Sequence, residues 1–196
     1  MTNRVFHAQS IEKLGTTFPE FELGSGKLIR IYVRNWHPIR YTSMRFELTE
    51  ELTRRFQQQY QDLPYSPRSY RKRFYEFCFP MRVRKYLIKK MQLSDQVAKR
   101  IAAEAGVDLD APMDRIDIIA QRVLMLKAHF AKHPMVIFDF HGIYAMGMPD
   151  MLHAVDLEIK KGKSAIAFDL FQYMEDDEPF DYIERVFPVY DQESAL

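Results

Sequence analysis

Asp139 is the residue in the sequence best placed to bind a ligand. It follows the apolar run 135–138, which predicts a β-strand covered on both faces. Ligands bind where the strands of open α/β sheets end, so this carboxylate could contact a metal or phosphate, or cap the next loop. Capping is the favoured interpretation. His141 lies two residues further on, but no second histidine or cysteine stands beside it at ligand-like spacing, so no metal site is predicted.

Residues 68–90 form a second set with its own chemistry, because they are both basic and aromatic. Nine basic residues face a single acid, Glu76, and tyrosine and phenylalanine side chains are interleaved with them. Such a stretch can bind nucleic acid or an anionic membrane surface, or it can be a solvated helix face with its aromatics in the core. The residues predicted to contact a partner or an anionic surface are Arg68, Arg71, Lys72, Arg73, Arg82, Arg84 and Lys85.

A helix is predicted immediately before the strand that ends in Asp139. Apolar residues between 119 and 130 follow the spacing of one helical face, and Pro134 ends that helix. A similar unit stands near the N-terminus: a β-prone run over 28–33, a loop over 34–41 and a helix over 42–56. Arg30 is the lone charge inside that run, and it indicates that one face of the strand is not fully sealed.

The remaining segments alternate between helix and strand. Ser94 and Gly106 are predicted to cap a helix between them. Other expected elements are helices over 82–91 and 151–160, a strand over 164–168 that ends at Asp169, and a final strand over 186–190. The pattern predicts one α/β domain over 1–196, with a mostly parallel sheet, an N-terminal β portion, a core formed by 1–60 and 115–196, and a helical insertion over 61–114.

Composition narrows the class of protein. A chain of 196 residues with 47% hydrophobic residues can build one sizeable core. The single Cys78 excludes an internal disulfide and suits a reducing compartment. The N-terminus has no apolar signal region and no apolar run has the length of a membrane span, so we expect a cytoplasmic protein, at most peripheral on a membrane. The net charge of +1 indicates no class of partner.

The order of elements resembles the nucleotide-binding domain of ATP-binding cassette (ABC) transporters. In that family an apolar strand leads into the phosphate loop GPNGSGKST; here FELGSGKLIRIYV leads into RNWHPIRYT. The family's signature LSGGQ is followed by a helix and an apolar strand that ends in Asp-Glu. The stretch QRVLMLKAHFAKHPMVIFDF is similar and is the most specific part of the match. The likeness covers residues 20–190 and implies a P-loop NTPase-like fold.

The positions that match the family's motifs lack its chemistry. A phosphate loop needs glycines, whose N–H groups close around the phosphates, and a lysine that reaches them. Here Arg40 replaces the lysine, and Thr42 alone survives from the end of the motif. Asp139 matches the metal-linked aspartate, but Phe140 stands where the catalytic glutamate belongs. No histidine after His153 can serve as the switch residue, and residues 115–119 lack the serine and glycines of the signature.

The resemblance therefore implies a degenerate, non-catalytic cassette with a structural or regulatory role. Its partner would be a membrane subunit, a competent ATPase subunit or a second copy of the chain, and no cofactor is expected. ATP with Mg²⁺ would bind only if a relic site at Arg40, Thr42 and Asp139 is retained. Two alternatives stay open: a module that binds nucleic acid or an anionic surface through residues 68–90, and a residual ATPase.

Overall fold

The computed structural model describes residues 6–13, 15–33, 44–72, 74–77, 79–143, 147–170 and 183–190. Four short strands come first in the chain and pair antiparallel: β1 with β4, and β2 with β3. Gly15 allows the tight turn between β2 and β3, because its φ of +66° is unfavourable for residues with a side chain. The bounds of these strands are β1 Phe6–Ala8, β2 Ile11–Lys13, β3 Thr16–Phe18 and β4 Phe21–Leu23.

Helices make up most of the middle of the chain. In α2 the helix widens into a π-helical turn, in which the N–H of Met91 donates to the carbonyl of Tyr86 at 2.9 Å. A short 3₁₀ turn, Phe74–Phe77, precedes it. The bounds are α1 Met44–Gln59, α2 Val83–Lys85 with its π-helical continuation Tyr86–Lys90, α3 Asp95–Glu104, α4 Ile118–Lys132 and α5 Met148–Ile159.

Among the described residues, the central sheet has four parallel strands in the order β6–β7–β5–β8. Its inner strands, β5 and β7, are mostly apolar, as expected for strands that are covered on both faces. A last strand, β9, pairs antiparallel with β3. The bounds are β5 Leu28–Val33, β6 Met135–Asp139, β7 Ser164–Leu170, β8 Ile183–Val186 and β9 Val189–Tyr190.

Three apolar clusters hold these layers together. One face of the sheet packs on α1 through side chains such as Ile31 and Phe56. The other face packs on α4 and α5 through side chains such as Phe138 and Val155. A third cluster joins α2 and α3 to the outer side of α4, so the helical part of the predicted insertion is packed onto the α/β core. None of the described helices has the length and hydropathy needed to cross a membrane.

The structure corrects two expectations. Arg30 does not mark an open face, because it is 1% exposed and forms an ion pair with Asp169 on the neighbouring strand β7. The expected final strand over 186–190 is two strands in different sheets: β8 extends the parallel sheet, and β9 joins β3. Residues 187 and 188 separate them, and the apolar pattern alone did not show this break.

Candidate functional site

Asp139 is the last residue of β6, and its side chain is fully buried. One carboxylate oxygen, Oδ1, accepts from the N–H of His141 at 3.0 Å and from Nη2 of Arg122 at 3.3 Å. The other, Oδ2, accepts from Nε of Arg68 at 2.6 Å and from the hydroxyl of Tyr65. A carboxylate offers about four acceptor positions, and all of these are used. The bond from His141 caps the loop after β6, as the favoured interpretation of the sequence predicted.

Tyr65 reaches Asp139 because its segment runs beside β6 like a short additional strand. The N–H of Ile137 donates to the carbonyl of Pro64 at 2.9 Å, and the N–H of Ser66 donates to the carbonyl of Ile137 at 2.7 Å. These two bonds are those of a parallel bridge between Tyr65 and Ile137. The bridge holds Tyr65 at the carboxyl end of the sheet and brings Arg68 to the same place three residues later.

Arg122 reaches the site from the first turns of α4. The helix begins there because the side chain of Asp117 accepts from the N–H groups of Ile119 and Ala120, at 2.8 and 3.2 Å. Arg122 also donates from Nε to the carbonyl of Arg68 at 2.7 Å, and from Nη2 to the carbonyl of His141 at 2.8 Å. One guanidinium therefore ties together three segments of the chain.

Burial and charge set the protonation states in this site. Burial, followed by the negative charge of Asp139, raises the pKa of Tyr65, so its hydroxyl is a neutral donor. Burial lowers the pKa of Arg122 and outweighs the attraction of Asp139. Burial also acts to lower the pKa of Arg68, but Asp139 and Tyr65 outweigh it and the pKa is raised. Both arginines remain cationic at neutral pH because the ordinary pKa of a guanidinium is so high.

An aromatic ring covers the cationic side of the site. Phe46, on the first turn of α1, lies 4.4 Å from Cζ of Arg45 and 4.5 Å from Cζ of Arg68, measured to the ring centroid. The ring of His141 meets the edge of Phe46 at 5.9 Å. His141 is 3% exposed, and burial lowers its pKa to about 4. It is therefore a neutral imidazole at physiological pH.

The predicted contact residues of the stretch 68–90 fall into three groups. Arg68 belongs to the Asp139 site, and Lys72 and Arg84 form ion pairs with nearby acids. Arg82, whose Nη1 donates to the carbonyl of Asp110 at 2.8 Å, is exposed, as are Arg71 and Lys85. Arg73 lies outside the described residues, as do Arg40 and Thr42 of the relic nucleotide site. Their roles stay predictions.

Sequence analysis missed Tyr65, Arg45 and Arg122. One signal could have revealed Arg122, because it lies three residues after Ile119 and four before Leu126, at the spacing of the buried helical face. An arginine at that spacing indicates a buried charge that needs a carboxylate. Tyr65 carried no such signal, because the segment around it is too short to show a strand period.

Comparison with known proteins gives the fold. No family model matches the chain, and no curated protein matches it. An ATP-binding cassette of an ABC transporter, in its ADP conformation, is 9% identical with a TM-score of 0.60, over 100% of this chain and 94% of that one. The CbiO1 protein of Clostridium perfringens, part of the ABC transporter complex CbiONQ, is 8% identical with a TM-score of 0.56, over 95% and 87%.

A third solved structure, the RNase-L inhibitor, is 13% identical with a TM-score of 0.54, over 98% of this chain and 41% of that one. Sequence identities this low show the fold alone. The chain has an ABC ATPase-like α/β fold, with a parallel sheet flanked by helices, which confirms the predicted fold class.

The residues around Asp139 do not fit the Mg²⁺ ion that this fold implies. Mg²⁺ binds oxygen atoms with free lone pairs, and neighbouring cations repel it. Both oxygens of Asp139 already accept two hydrogen bonds each. One bond to Oδ1 comes from Arg122, and one bond to Oδ2 comes from Arg68. Across the part of the chain that the structure describes, no group of three or more His, Cys, Asp or Glu side chains could hold a metal ion.

Proposed function

We propose that this protein is a non-catalytic member of the ABC ATPase-like fold, with a structural or regulatory role in a multi-subunit complex. The observation that carries the proposal is the engagement of Asp139 by Arg68, Arg122 and Tyr65. In the resemblance drawn from sequence, Asp139 is the metal-linked carboxylate. Here it neutralises the buried Arg122 and the half-buried Arg68, so releasing it for a metal would remove the counter-charge of both.

The residue after Asp139 supports the same proposal. Phe140 occupies the position of the catalytic glutamate, and it is 2% exposed. Its ring packs on Phe138, with centroids 5.1 Å apart, and the guanidinium of Arg30 lies 5.1 Å from its centroid. A buried phenyl ring cannot orient a water molecule. Phosphoryl transfer to water depends on a positioned water molecule, and Phe140 supplies no group that could position one.

Calorimetric titration with ATP and Mg²⁺, together with a turnover assay, tests the loss of catalysis. We expect no Mg²⁺-dependent heat and no phosphate release, with an active ABC cassette as the positive control.

Asp139→Asn is expected to lower the free energy of unfolding by about 2–4 kcal/mol, because Arg68 and Arg122 lose their counter-charge. Turnover that requires Mg²⁺ and disappears in Asp139→Asn would contradict the proposal.

The complex itself is tested by gentle purification from the source. We expect a membrane subunit, a competent ATPase subunit or a second copy of this chain to remain bound, as CbiO1 is part of a transporter complex. A clean monomer with no co-purifying chain would contradict the assembly role. Loss of catalysis and assembly are separate measurements, so one can fail without the other.

A second candidate function is contact with nucleic acid or an anionic surface through residues 68–90. The observation in its favour is that Phe74 and Phe79 are 92% and 75% exposed, close in sequence to the exposed Arg71 and Lys85. Exposed aromatics beside cations are suited to stacking on bases. We expect binding to single-stranded nucleic acid that weakens steeply with added salt. No detectable binding at low salt would exclude this function.

A further inference from the structure

Three guanidinium groups lie near the carboxyl end of β6, and two of them contact the carboxylate of Asp139. Arg68 and Arg122 contact Asp139 directly, and Arg45 and Arg68 share the ring of Phe46. The positive charges of all three arginines, after the larger effect of burial, contribute to the low pKa of His141. We call Arg45, Arg68 and Arg122 the arginine cluster, because they are linked by the ring of Phe46 and by Asp139.

The arginine cluster has an excess of positive charge. Three guanidiniums carry three positive charges, and Asp139 supplies one negative charge, which Arg68 and Arg122 share. Glu50, which is exposed on α1, acts on Arg68 as a weaker second source of negative charge. The neutral ring of His141 adds no compensation. Arg122 is buried and Arg45 and Arg68 are half-buried, and positive charge that is even partly removed from water is costly unless an anion compensates it.

Each arginine of the cluster also has a buried donor without a partner. Within the described part of the chain, Nε of Arg45, Nη2 of Arg68 and Nη1 of Arg122 donate no hydrogen bond. Arg122 is 5% exposed, so water does not reach most of its side chain. Nearly all buried donors in folded proteins have a hydrogen-bond partner. A buried donor without a protein partner therefore points to a bound water molecule or ion. Three on neighbouring arginines favour an ion with several acceptor atoms.

A cleft of about 460 Å³ adjoins the cluster, between α1 and residues 65–71. Arg68 and Tyr65 belong to both the cleft and the Asp139 site, and Arg68 is 27% exposed along its side chain. The hydroxyls of Thr49 and Thr53, which also line the cleft, have no partner among the described residues. A polar ligand in this cleft could therefore reach Arg68, which lies at the edge of the sheet where α/β proteins bind ligands.

We propose that the arginine cluster binds a compact oxyanion of the phosphate class, free or as the terminal group of a larger molecule, without a metal ion. Guanidinium groups match tetrahedral oxyanions through paired N–H donors and supply the positive charge that a metal would otherwise provide. Asp139 holds Arg68 and Arg122 in place rather than contacting the ligand. The proposal concerns ligand binding and is independent of the partner in the complex.

Titration of the purified protein with inorganic phosphate, at constant ionic strength, tests this site. We expect saturable heat in the presence of EDTA, and no gain in affinity when Mg²⁺ replaces EDTA. Arg45→Gln is expected to weaken phosphate binding by about tenfold or more, because it removes one charged hydrogen bond and no contact to Asp139. Arg55→Gln is the matched control, since Arg55 lies on the same helix and pairs with Glu51 on its exposed side.

Titration with ATP in EDTA then distinguishes free phosphate from a terminal phosphate group as the ligand. An NMR titration of the unaltered protein gives a second test that needs no variant. Phosphate should shift the ring signals of His141, which lies in the cluster, more than those of His7 and His153, which are exposed. Absence of saturable binding, binding only with Mg²⁺, equal loss in Arg45→Gln and Arg55→Gln, or no selective shift of His141 would each overturn the proposal.

Discussion

At the scale of single residues, the ion pair between Arg30 and Asp169 allows two charged side chains to be buried in the middle of the sheet. Arg30 lies on β5 opposite Ala167 of β7, so it reaches Asp169 diagonally on the same face. Both side chains are 1% exposed, and the guanidinium also lies 5.1 Å from the ring of Phe140. A pair removed from water in this way depends on both members, because removing either one takes this counter-charge from a buried charge.

We predict that Arg30→Met and Asp169→Leu each lower the free energy of unfolding by about 3–5 kcal/mol, and that the double variant loses less than either. The double variant replaces two charges by apolar groups, which the surrounding core accepts. Urea unfolding of the four proteins measures the coupling. Arg55→Met, at an exposed pair with Glu51, is the control and should cost less than about 1 kcal/mol. Additive losses in the double variant would contradict the prediction.

At the scale of elements, α3 is defined by both of its ends. The side chain of Ser94 accepts from the N–H of Val97 at 3.3 Å, and Gly106 follows the helix with a φ of +65°. Between these ends, Ile101 and its neighbours pack against α4 in the third apolar cluster. The helix therefore depends on local caps as well as on burial.

We predict that Ser94→Ala lowers the free energy of unfolding by about 1 kcal/mol, because one N–H group at the start of α3 loses its acceptor. Ser94→Asp restores an acceptor at the same position and should stay within a few tenths of the original value. Thermal and urea unfolding of both variants provide the measurement. Equal losses in the two variants would show that the cap is not the cause.

Gly106→Ala is a separate prediction for the other end of α3. It should cost about 1 kcal/mol, because a side chain disfavours positive φ even though no atom lies within 4 Å of the added Cβ. Gly24→Ala is the matched control, since its Cβ also meets no atom within 4 Å and its φ is outside the left-handed region. Urea unfolding should show that Gly24→Ala is neutral or slightly stabilising. A loss as large as that of Gly106→Ala would contradict the prediction.

Elements were more predictable from the sequence than contacts between them. Ser94 and Gly106 carry local signals, and both caps lie where the sequence placed them. The partner of Arg30 is 139 residues away, so no local pattern could reveal it. The position of Asp139 at a strand end followed from the apolar run before it. Its contacts to Tyr65 and Arg68 depend on a single bridge to β6, which leaves no period in the sequence.

At the scale of the whole molecule, the buried His141 and the partly buried His129 link folding to pH. Burial lowers the pKa of His129 and of His141 from 6.5 to about 4. His129 faces cationic neighbours as well: His133, Lys132 and Lys90 push its pKa in the same direction. In the folded protein both rings are therefore neutral at a pH where exposed histidines are already charged. Between these pKa values the unfolded chain binds more protons than the folded protein.

Lowering the pH from 6.5 to about 4 must therefore favour unfolding. Stability is fully present above the unfolded pKa of 6.5 and is lost as pH falls toward the folded pKa of about 4. Each histidine contributes at most about 3.5 kcal/mol, since one pKa unit corresponds to about 1.4 kcal/mol. The carboxylates act at lower pH: hydrogen bonds from Lys161 and Lys163 outweigh burial and hold the pKa of Glu158 below its ordinary 4.5.

We predict that the free energy of unfolding falls continuously between pH 6.5 and pH 4, the unfolded and folded pKa values of these rings. His129→Gln should make that slope shallower, because one proton-binding difference is removed while the Asp139 site stays intact. His153→Gln, at an exposed position on α5, is the control and should keep the original slope, since its ring is in water in both states. Urea titrations at half-unit pH steps measure the three slopes. A flat profile in this range, or an unchanged slope in His129→Gln, would show that these histidines are not held neutral by the fold.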